Sequence, residues 1–193
     1  MIMVTAKTHL MAALLIGTLI AAVADVPNVL LFVGLVLVAS LAPDLDNPES
    51  TLGGMTKPVS NFLRLTLGHR GFLHTIYMAL SIPVLLYFLG YIYPAVAVGI
   101  GYLSHLMMDS ITIFGIKPFF PIQFDVRGSL RTGGPFELVI FTILGIGFLI
   151  VLNIFYLKLS FGDVSGLNLI TDRLSSLLAY LTSFIPASIT DLF

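Results

Sequence analysis

Two pairs of residues in the chain have types and spacings that suit a metal ion. His105 and Asp109 are four residues apart in an apolar run, so on a helix both side chains project from one face and can share an ion. Asp44 and Asp46 are two residues apart after Pro43, where an extended backbone would point both carboxylates the same way. Imidazole nitrogen and carboxylate oxygen together suit Zn²⁺, Mn²⁺ or Fe²⁺. The pairs therefore predict a site for one or two divalent ions.

Further residues of the same chemical types extend this candidate site. His9 stands at the beginning of the first apolar run, and His69 and His74 flank the beginning of the third. Arg70 is placed to bind a phosphate or a carboxylate, and Glu137 begins the last long apolar run. The predicted metal ligands are His9, Asp44, Asp46, His69, His74, His105 and Asp109, and the predicted catalytic residues are Asp46, Arg70 and Glu137. Asp46 fits either a general base or the partner that orients a ligating histidine.

Each of these residues also has a structural explanation when it is taken alone. The two aspartates after Pro43 fit a solvated turn, and Glu137 fits a first-turn carboxylate that the helix dipole favours. His105 and Asp109 fit a hydrogen-bonded pair that packs a bundle, but ionisable residues inside a membrane span cost about 2.5–3.5 kcal/mol each on insertion scales. Because all of these explanations would have to hold at once, a shared metal site is the better interpretation.

The composition predicts which elements must hold these residues. Of 193 residues, 58% are hydrophobic and only 10% are charged, whereas soluble domains carry roughly 25% charged residues. The chain therefore belongs to the membrane class. It contains no cysteine, which excludes a thiolate site, and its formal net charge of −1 gives no reason to expect a nucleic-acid partner.

Five apolar stretches approach the roughly 20 residues that a bilayer-spanning helix needs. They run over Thr8–Ala24, Val29–Ala42, Phe72–Tyr91, Pro94–Phe114 and Phe136–Leu157. The predicted fold is all-α, a polytopic membrane bundle of about five transmembrane helices, with residues 1–160 as the metal-site domain. Apolar residues at helical spacing in residues 161–193 predict a C-terminal amphipathic tail in the membrane interface. A sixth, partly polar span from Leu174 to Ile189 is the alternative.

The first apolar run also has the pattern of a secretory signal. Lys7 precedes it, and Ala22-Val23-Ala24 forms an A-x-A cleavage site. Because His9 belongs to the candidate site, we expect this segment to be retained.

The distribution of basic residues predicts the orientation. With five spans, one side carries Lys7, Lys57, Arg64, Arg70, Lys117, Arg127 and Arg131, and the other carries Lys158 and Arg173. Seven against two follows the positive-inside bias, so the amino terminus and the loop-rich face should be cytoplasmic in a multi-pass cell-membrane protein. Since alternate spans run in opposite directions, every candidate site residue falls on that same side.

Three strings carry a resemblance to a known family. Leu41-Ala-Pro-Asp-Leu-Asp-Asn-Pro48, Gly68-His-Arg-Gly-Phe-Leu-His-Thr75 and Gly101-Tyr-Leu-Ser-His-Leu-Met-Met-Asp109 resemble the YdjM family of inner-membrane, metal-dependent hydrolases. The resemblance runs from about His9 to Glu137, and Leu73 stands where the family more usually has a small polar residue. It implies a hydrolase whose metal ligands come from these strings.

A more distant resemblance concerns His105 and Asp109 alone. Their His-x-x-x-Asp spacing is similar to the metal motif of zinc-dependent phospholipase C and P1 nuclease, which use three zinc ions and further histidines towards the C terminus. No histidine follows His105 here, so we expect one or two ions, with Zn²⁺ favoured.

The expected function is hydrolysis of an ester by metal-activated water. The phospholipase resemblance implies a phosphoester, and the site's place in the membrane suggests a lipid or lipid-linked substrate from the inner leaflet. The alternatives are a divalent-metal transporter, because intramembrane His and Asp also mark ion pathways, and a non-catalytic metal-stabilised scaffold. Between His105 and the opposite face the span holds Tyr102, Gly101 and Gly99 and then apolar residues, which disfavours a path through the membrane.

Overall fold

The chain folds into a set of helices joined by short helical turns. The computed structural model describes residues 6–67, 71–131, 133–157 and 176. The helices are α1 (Ala6–Val23), α2 (Val29–Leu41), α3 (Thr51–Met55), α4 (Lys57–Leu67), α5 (Ile76–Phe88), α6 (Ile92–Ser110) and α7 (Pro135–Val151). Two 3₁₀ turns, Ala42–Asp46 and Phe72–His74, and a π-helical turn, Leu152–Leu157, complete them. No strand forms within these described ranges, so the predicted all-α class is confirmed.

Helices occur at all five positions where the sequence predicts spans. By length and composition, Ala6–Val23, Val29–Asp46 and Pro135–Tyr156 are long and apolar enough to cross a membrane. Ile76–Phe88 is apolar but shorter, and α6 has 19 residues, among them His105 and Asp109. The predicted tail, residues 161–193, lies outside the described residues apart from Ser176.

Local signals in the sequence explain where the apolar helices begin and end. Asn28 caps α2, its Oδ1 accepting a hydrogen bond from the Leu31 amide at 3.0 Å. Gly90, with a φ of 87°, ends α5 in the left-handed region that glycine adopts without strain. Pro135 opens α7 at a position where its missing amide hydrogen costs nothing.

The segment between α2 and α5, where the sequence predicts no span, forms short helical elements. It contains the first 3₁₀ turn, α3 and α4. Ser50 caps α3 by accepting a hydrogen bond from the Gly53 amide at 2.9 Å, and a side chain at Gly53 would collide with the Asn47 carbonyl. A cap and a close backbone approach therefore stabilise α3 and the chain that leads into it.

Helices α1, α2 and α6 pack together around small residues. Ala13, Ala21, Val36 and Ala97 form a buried apolar cluster between them, together with Val26 and Phe32. At Gly101 on α6, an added Cβ would meet the Val36 carbonyl and lie 2.8 Å from the Ala39 Cβ. The absence of a side chain at Gly101 therefore sets how closely α6 approaches α2.

The segment between α6 and α7 folds back on itself beside the end of α6. Ile116 and Val126 exchange two backbone hydrogen bonds, of 2.9 and 3.0 Å, and Gly115 turns the chain with a φ of 63°. The Pro118 carbonyl accepts a hydrogen bond from the Ile76 amide at 2.9 Å. This contact ties the folded segment to the beginning of α5.

Candidate metal centre

Helix α6 supplies the two central residues of the site. The four-residue spacing puts His105 and Asp109 on one buried face, with 3.6 Å between His105 Nε2 and Asp109 Oδ2. Both side chains are at most 2% exposed. The sequence prediction that these two residues share a face is confirmed.

Helix α1 brings His9 to the same place. Its Nε2 lies 3.4 Å from Asp109 Oδ1, and its ring lies 4.1 Å from the ring of His105, centroid to centroid. Because α1 packs along α6, a residue near the beginning of one helix meets residues near the end of the other. This is the consequence of antiparallel packing that the sequence predicted.

The 3₁₀ turn Phe72–His74 supplies the third histidine. His74 Nε2 lies 3.4 Å from Asp109 Oδ2, and the imidazole is fully buried. We predicted that the third span begins at Phe72, before His74, and this detail was wrong. Helix α5 begins at Ile76 because Thr75 caps it: Thr75 has extended backbone, and its hydroxyl accepts a hydrogen bond from the Met78 amide at 3.3 Å.

The 3₁₀ turn Ala42–Asp46 supplies two carboxylates in different directions. Asp44 Oδ1 lies 3.8 Å from His105 Nε2, whereas Asp46 Oδ2 lies 3.8 Å from His74 Nδ1. The expected extended backbone, with both carboxylates pointing the same way, was wrong. In a 3₁₀ turn of three residues per turn, side chains two positions apart diverge, so each aspartate approaches a different histidine.

A main-chain contact orients the His105 ring. Its Nδ1 lies 2.7 Å from the Ser40 carbonyl oxygen, and because a carbonyl only accepts, Nδ1 must carry the hydrogen. In the neutral ring, Nε2 then keeps its lone pair. Such a backbone partner is the arrangement that fixes the tautomer of metal-ligating histidines.

The polar atoms at the centre fit a divalent cation. Both ring nitrogens of His9 and Nε2 of His105 are buried and have no hydrogen-bond partner within the described ranges. Nitrogen and oxygen ligands about 2.1 Å from a tetrahedral ion lie about 3.4 Å apart. The observed separations of imidazole nitrogen from carboxylate oxygen, 3.4 to 3.8 Å, match that spacing better than an ordinary hydrogen bond.

Two overlapping groups of ligand atoms result. His9, His105 and Asp109 form one, and Asp44, His74 and His105 form the other, with the atoms of each group within 4.8 Å of one another. His105 belongs to both groups. The arrangement therefore has donors for one ion or for two ions close together.

Within the part of the chain that the structure describes, the centre is buried, and Asp44 is its most exposed residue. Asp44 is 15% exposed, whereas the three imidazoles and Asp109 are at most 3% exposed. Asp46 is fully buried beside His74. Among these described residues, Asp44 is therefore the one that solvent contacts most.

Of the predicted residues that the structure describes, Asp46 and Glu137 are not part of either ligand group. Glu137 instead accepts hydrogen bonds from the Thr8 hydroxyl at 2.9 Å and from the Gly133 amide at 2.5 Å. It lines a separate cavity of about 430 Å³ with Lys7 and Thr8. A catalytic role for Glu137 stays a prediction. His69 and Arg70 lie outside the described residues, so their predicted roles stay predictions too.

Sequence reasoning missed three contributors to this region. The Ser40 carbonyl leaves no side-chain signal in a sequence. Thr8 could have been recognised from the sequence. It stands next to His9 at the beginning of a helix, where a hydroxyl can donate a hydrogen bond to a neighbouring helix. Tyr102 was noted only as a polar residue, yet its hydroxyl donates to the Leu73 carbonyl at 2.6 Å and so fixes the turn that carries His74.

The chain matches a known protein family over nearly its whole length. The model of the family described as "YdjM inner membrane protein" matches residues 3–184. The chain belongs to this family. With the apolar helices, this membership makes the chain a membrane protein.

Individual YdjM relatives are similar over shorter stretches. "Inner membrane protein YdjM" of Escherichia coli (strain K12) is 32% identical over 97 residues, which are 47% of this chain and 50% of that protein. The protein of the same name in Shigella flexneri gives the same values. "Uncharacterized protein YvsG" of Bacillus subtilis (strain 168) is 31% identical over 136 residues, 67% of this chain and 82% of that protein. The chain thus spans about half the length of the two YdjM relatives. No solved structure matches the chain significantly.

Proposed function

We propose that this YdjM-family protein is a membrane-embedded, metal-dependent hydrolase that cleaves an ester, with a phosphoester or a lipid ester as substrate. The observation that carries the proposal is the pair of ligand groups that share His105, buried in the bundle except for the partly exposed Asp44. Zn²⁺ suits a donor set of three imidazoles and carboxylates without sulfur. Mn²⁺ and Fe²⁺ also bind imidazole nitrogen and carboxylate oxygen.

When bound, a divalent ion lowers the pKa of water and stabilises the negative charge that develops on the ester. The chain's own residues would prepare this chemistry. His105 holds its Nε2 lone pair towards the centre through the Ser40 contact. Asp46, buried at 3.8 Å from His74 Nδ1, is placed to accept a proton or to orient that ring. Arg70 stays the proposed anchor for a phosphate or carboxylate of the substrate.

The surroundings of the centre support hydrolysis over transport. An ion that crosses the bilayer needs polar groups along its path. Within the described residues, the apolar cluster of Ala13, Val36 and Ala97 and its neighbours instead fills the space between α1, α2 and α6. A metal-stabilised scaffold without turnover would have no need for a carboxylate at the surface of the centre, such as Asp44.

We further propose a multi-pass arrangement with the amino terminus and the metal centre on the cytoplasmic side. It rests on the seven-to-two excess of Lys and Arg on the loop-rich face. A lipid or a lipid-linked molecule of the inner leaflet would then reach the centre from the Asp44 side without leaving the membrane.

Reconstituted full-length protein tests the proposed activity. It should hydrolyse a member of a phosphoester and lipid-ester panel, lose this activity with a chelator and regain it with Zn²⁺. It should not move Zn²⁺ or Mn²⁺ across the vesicle membrane. The Met107→Ala variant, altered at an exposed residue of α6, should keep the activity that His105→Ala loses. Metal flux that His105→Ala abolishes, with no hydrolysis on the panel, would overturn the enzyme proposal.

A further inference from the structure

Helix α4 (Lys57–Leu67) has three distinct faces. At 100° per residue, Ser60 and Leu63 share one face, and the structure buries the first completely and the second partly. This face holds α4 against the 3₁₀ turn Ala42–Asp46. The other two faces, one apolar and one polar, are exposed.

The apolar face of α4 is exposed although its side chains are large and hydrophobic. Three of its side chains, Val59, Phe62 and Leu65, are 51%, 65% and 86% exposed, and Met55 in the preceding turn is 81% exposed. An exposed cluster of this kind marks a surface that something apolar covers.

The polar face lies beside the apolar one. It carries Lys57, Asn61 and Arg64, all of them exposed. The two cations are seven residues apart, which is close to two helical turns, so they stand in one row along the helix. A basic row beside an apolar face is the pattern of helices that lie in the plane of an anionic membrane surface.

The position of α4 in the fold agrees with this pattern. Its 11 residues extend about 16 Å, whereas the hydrocarbon core is about 30 Å thick, so α4 is too short to cross. It follows a span, Val29–Asp46, and packs on the end of that span. A helix fixed to the end of a span lies at the depth of the lipid headgroups.

We propose that α4 is an interfacial helix whose apolar face, Val59, Phe62 and Leu65, is covered by the lipid bilayer together with Met55 at the end of α3. Lys57 and Arg64 lie at the level of the lipid phosphates, with their aliphatic stems along the helix. The buried Ser60 face ties this lipid contact to the turn that carries Asp44 and Asp46. The inference stands on α4 alone and does not require the hydrolase proposal.

The absence of cysteine from the chain allows a direct test by site-directed spin labelling. Phe62→Cys, Leu65→Cys and the matched control Asn61→Cys are labelled with a nitroxide in the full-length protein, in vesicles of phosphatidylcholine and phosphatidylglycerol. Oxygen concentrates among acyl chains, and a water-soluble nickel chelate stays outside. Labels at 62 and 65 should collide more often with oxygen than with the chelate, and the label at 61 should show the reverse.

Two results would overturn the proposal. Labels at 62 and 65 that meet the nickel chelate as often as the label at 61 would place the apolar face in water. Labels at 62 and 65 that are immobile and shielded from both reagents would mean that a second copy or another protein covers the face. If either labelled variant does not fold, as judged by its helical circular dichroism and elution volume, Val59→Cys on the same face replaces it with the same expected result.

Discussion

At the scale of single residues, Asp109 is the residue that all three described histidines approach. One of its oxygens faces His9, and the other faces both His74 and His105. Asp44 and Asp46 add two further carboxylates to the same small region. Burying several carboxylates together is costly unless a cation or a proton compensates them. A divalent ion between the imidazoles and carboxylates would supply that compensation.

Asp46→Asn tests how the buried carboxylate acts on His74. If Asp46 orients this imidazole rather than binding the ion alone, the amide variant should keep the fold and bind Zn²⁺ about 10–100-fold more weakly. Competition with a chromogenic chelator measures the change. Asn61→Asp, on the exposed face of α4, is the control and should leave the affinity unchanged. An unaltered affinity in Asp46→Asn would remove Asp46 from the centre.

The sequence predicted these residues well where helix geometry governs them. The spacing of His105 and Asp109 and the antiparallel packing of α1 on α6 depend only on helical periodicity and span order. The directions of Asp44 and Asp46 could not be predicted, because they depend on a 3₁₀ turn that has no apolar period. The contact of Glu137 with Thr8 depends on how α1 and α7 meet, which no local pattern specifies.

At the scale of elements, the crossing of α2 and α6 positions the centre. Gly101 lets the two backbones approach, and one turn further along α6 the His105 ring reaches the Ser40 carbonyl of α2 at 2.7 Å. Small residues at a helix crossing are a general device of membrane bundles. Here the same device also orients the ring of a candidate metal ligand.

Gly101→Ala should therefore damage both the fold and the centre. The added methyl group would meet the Val36 carbonyl and the Ala39 Cβ, and overpacking of this kind costs about 1–3 kcal/mol. We expect a lower midpoint of thermal unfolding in detergent and weaker Zn²⁺ binding. The matched control is Gly34→Ala on α2, where an added Cβ meets nothing within 4 Å. Equal behaviour of the two variants would contradict the role given to the crossing.

The segment between α2 and α5 contains elements that were not predicted from the sequence. No span was predicted there, whereas the structure forms α3 and α4. The amphipathic period of α4 is hard to recognise in the sequence. Polar residues are frequent in this helix, and only one of its three faces is buried. Apolar spans are recognisable from composition alone, and a short interfacial helix is not.

At the scale of the whole molecule, the arrangement of spans determines which side the centre faces. Pro27, between α1 and α2, and Gln123, between α6 and α7, are both exposed, and the proposed topology places them on opposite sides. In intact cells, a membrane-impermeant maleimide should label Pro27→Cys and should label Gln123→Cys only after the membrane is opened. The cysteine-free parent chain is the control for background labelling. Labelling of both variants from outside, or of Gln123→Cys alone, would refute the topology.

The metal content of the purified full-length protein tests the central claim most directly. Protein purified without chelator and analysed by inductively coupled plasma mass spectrometry should contain one or two divalent ions per chain, because two ligand groups share His105. His105→Ala and Asp109→Ala should each lose most of this metal, whereas Met107→Ala should retain it. A folded wild-type protein that contains no divalent metal and binds none when Zn²⁺, Mn²⁺ or Fe²⁺ is added would contradict the account.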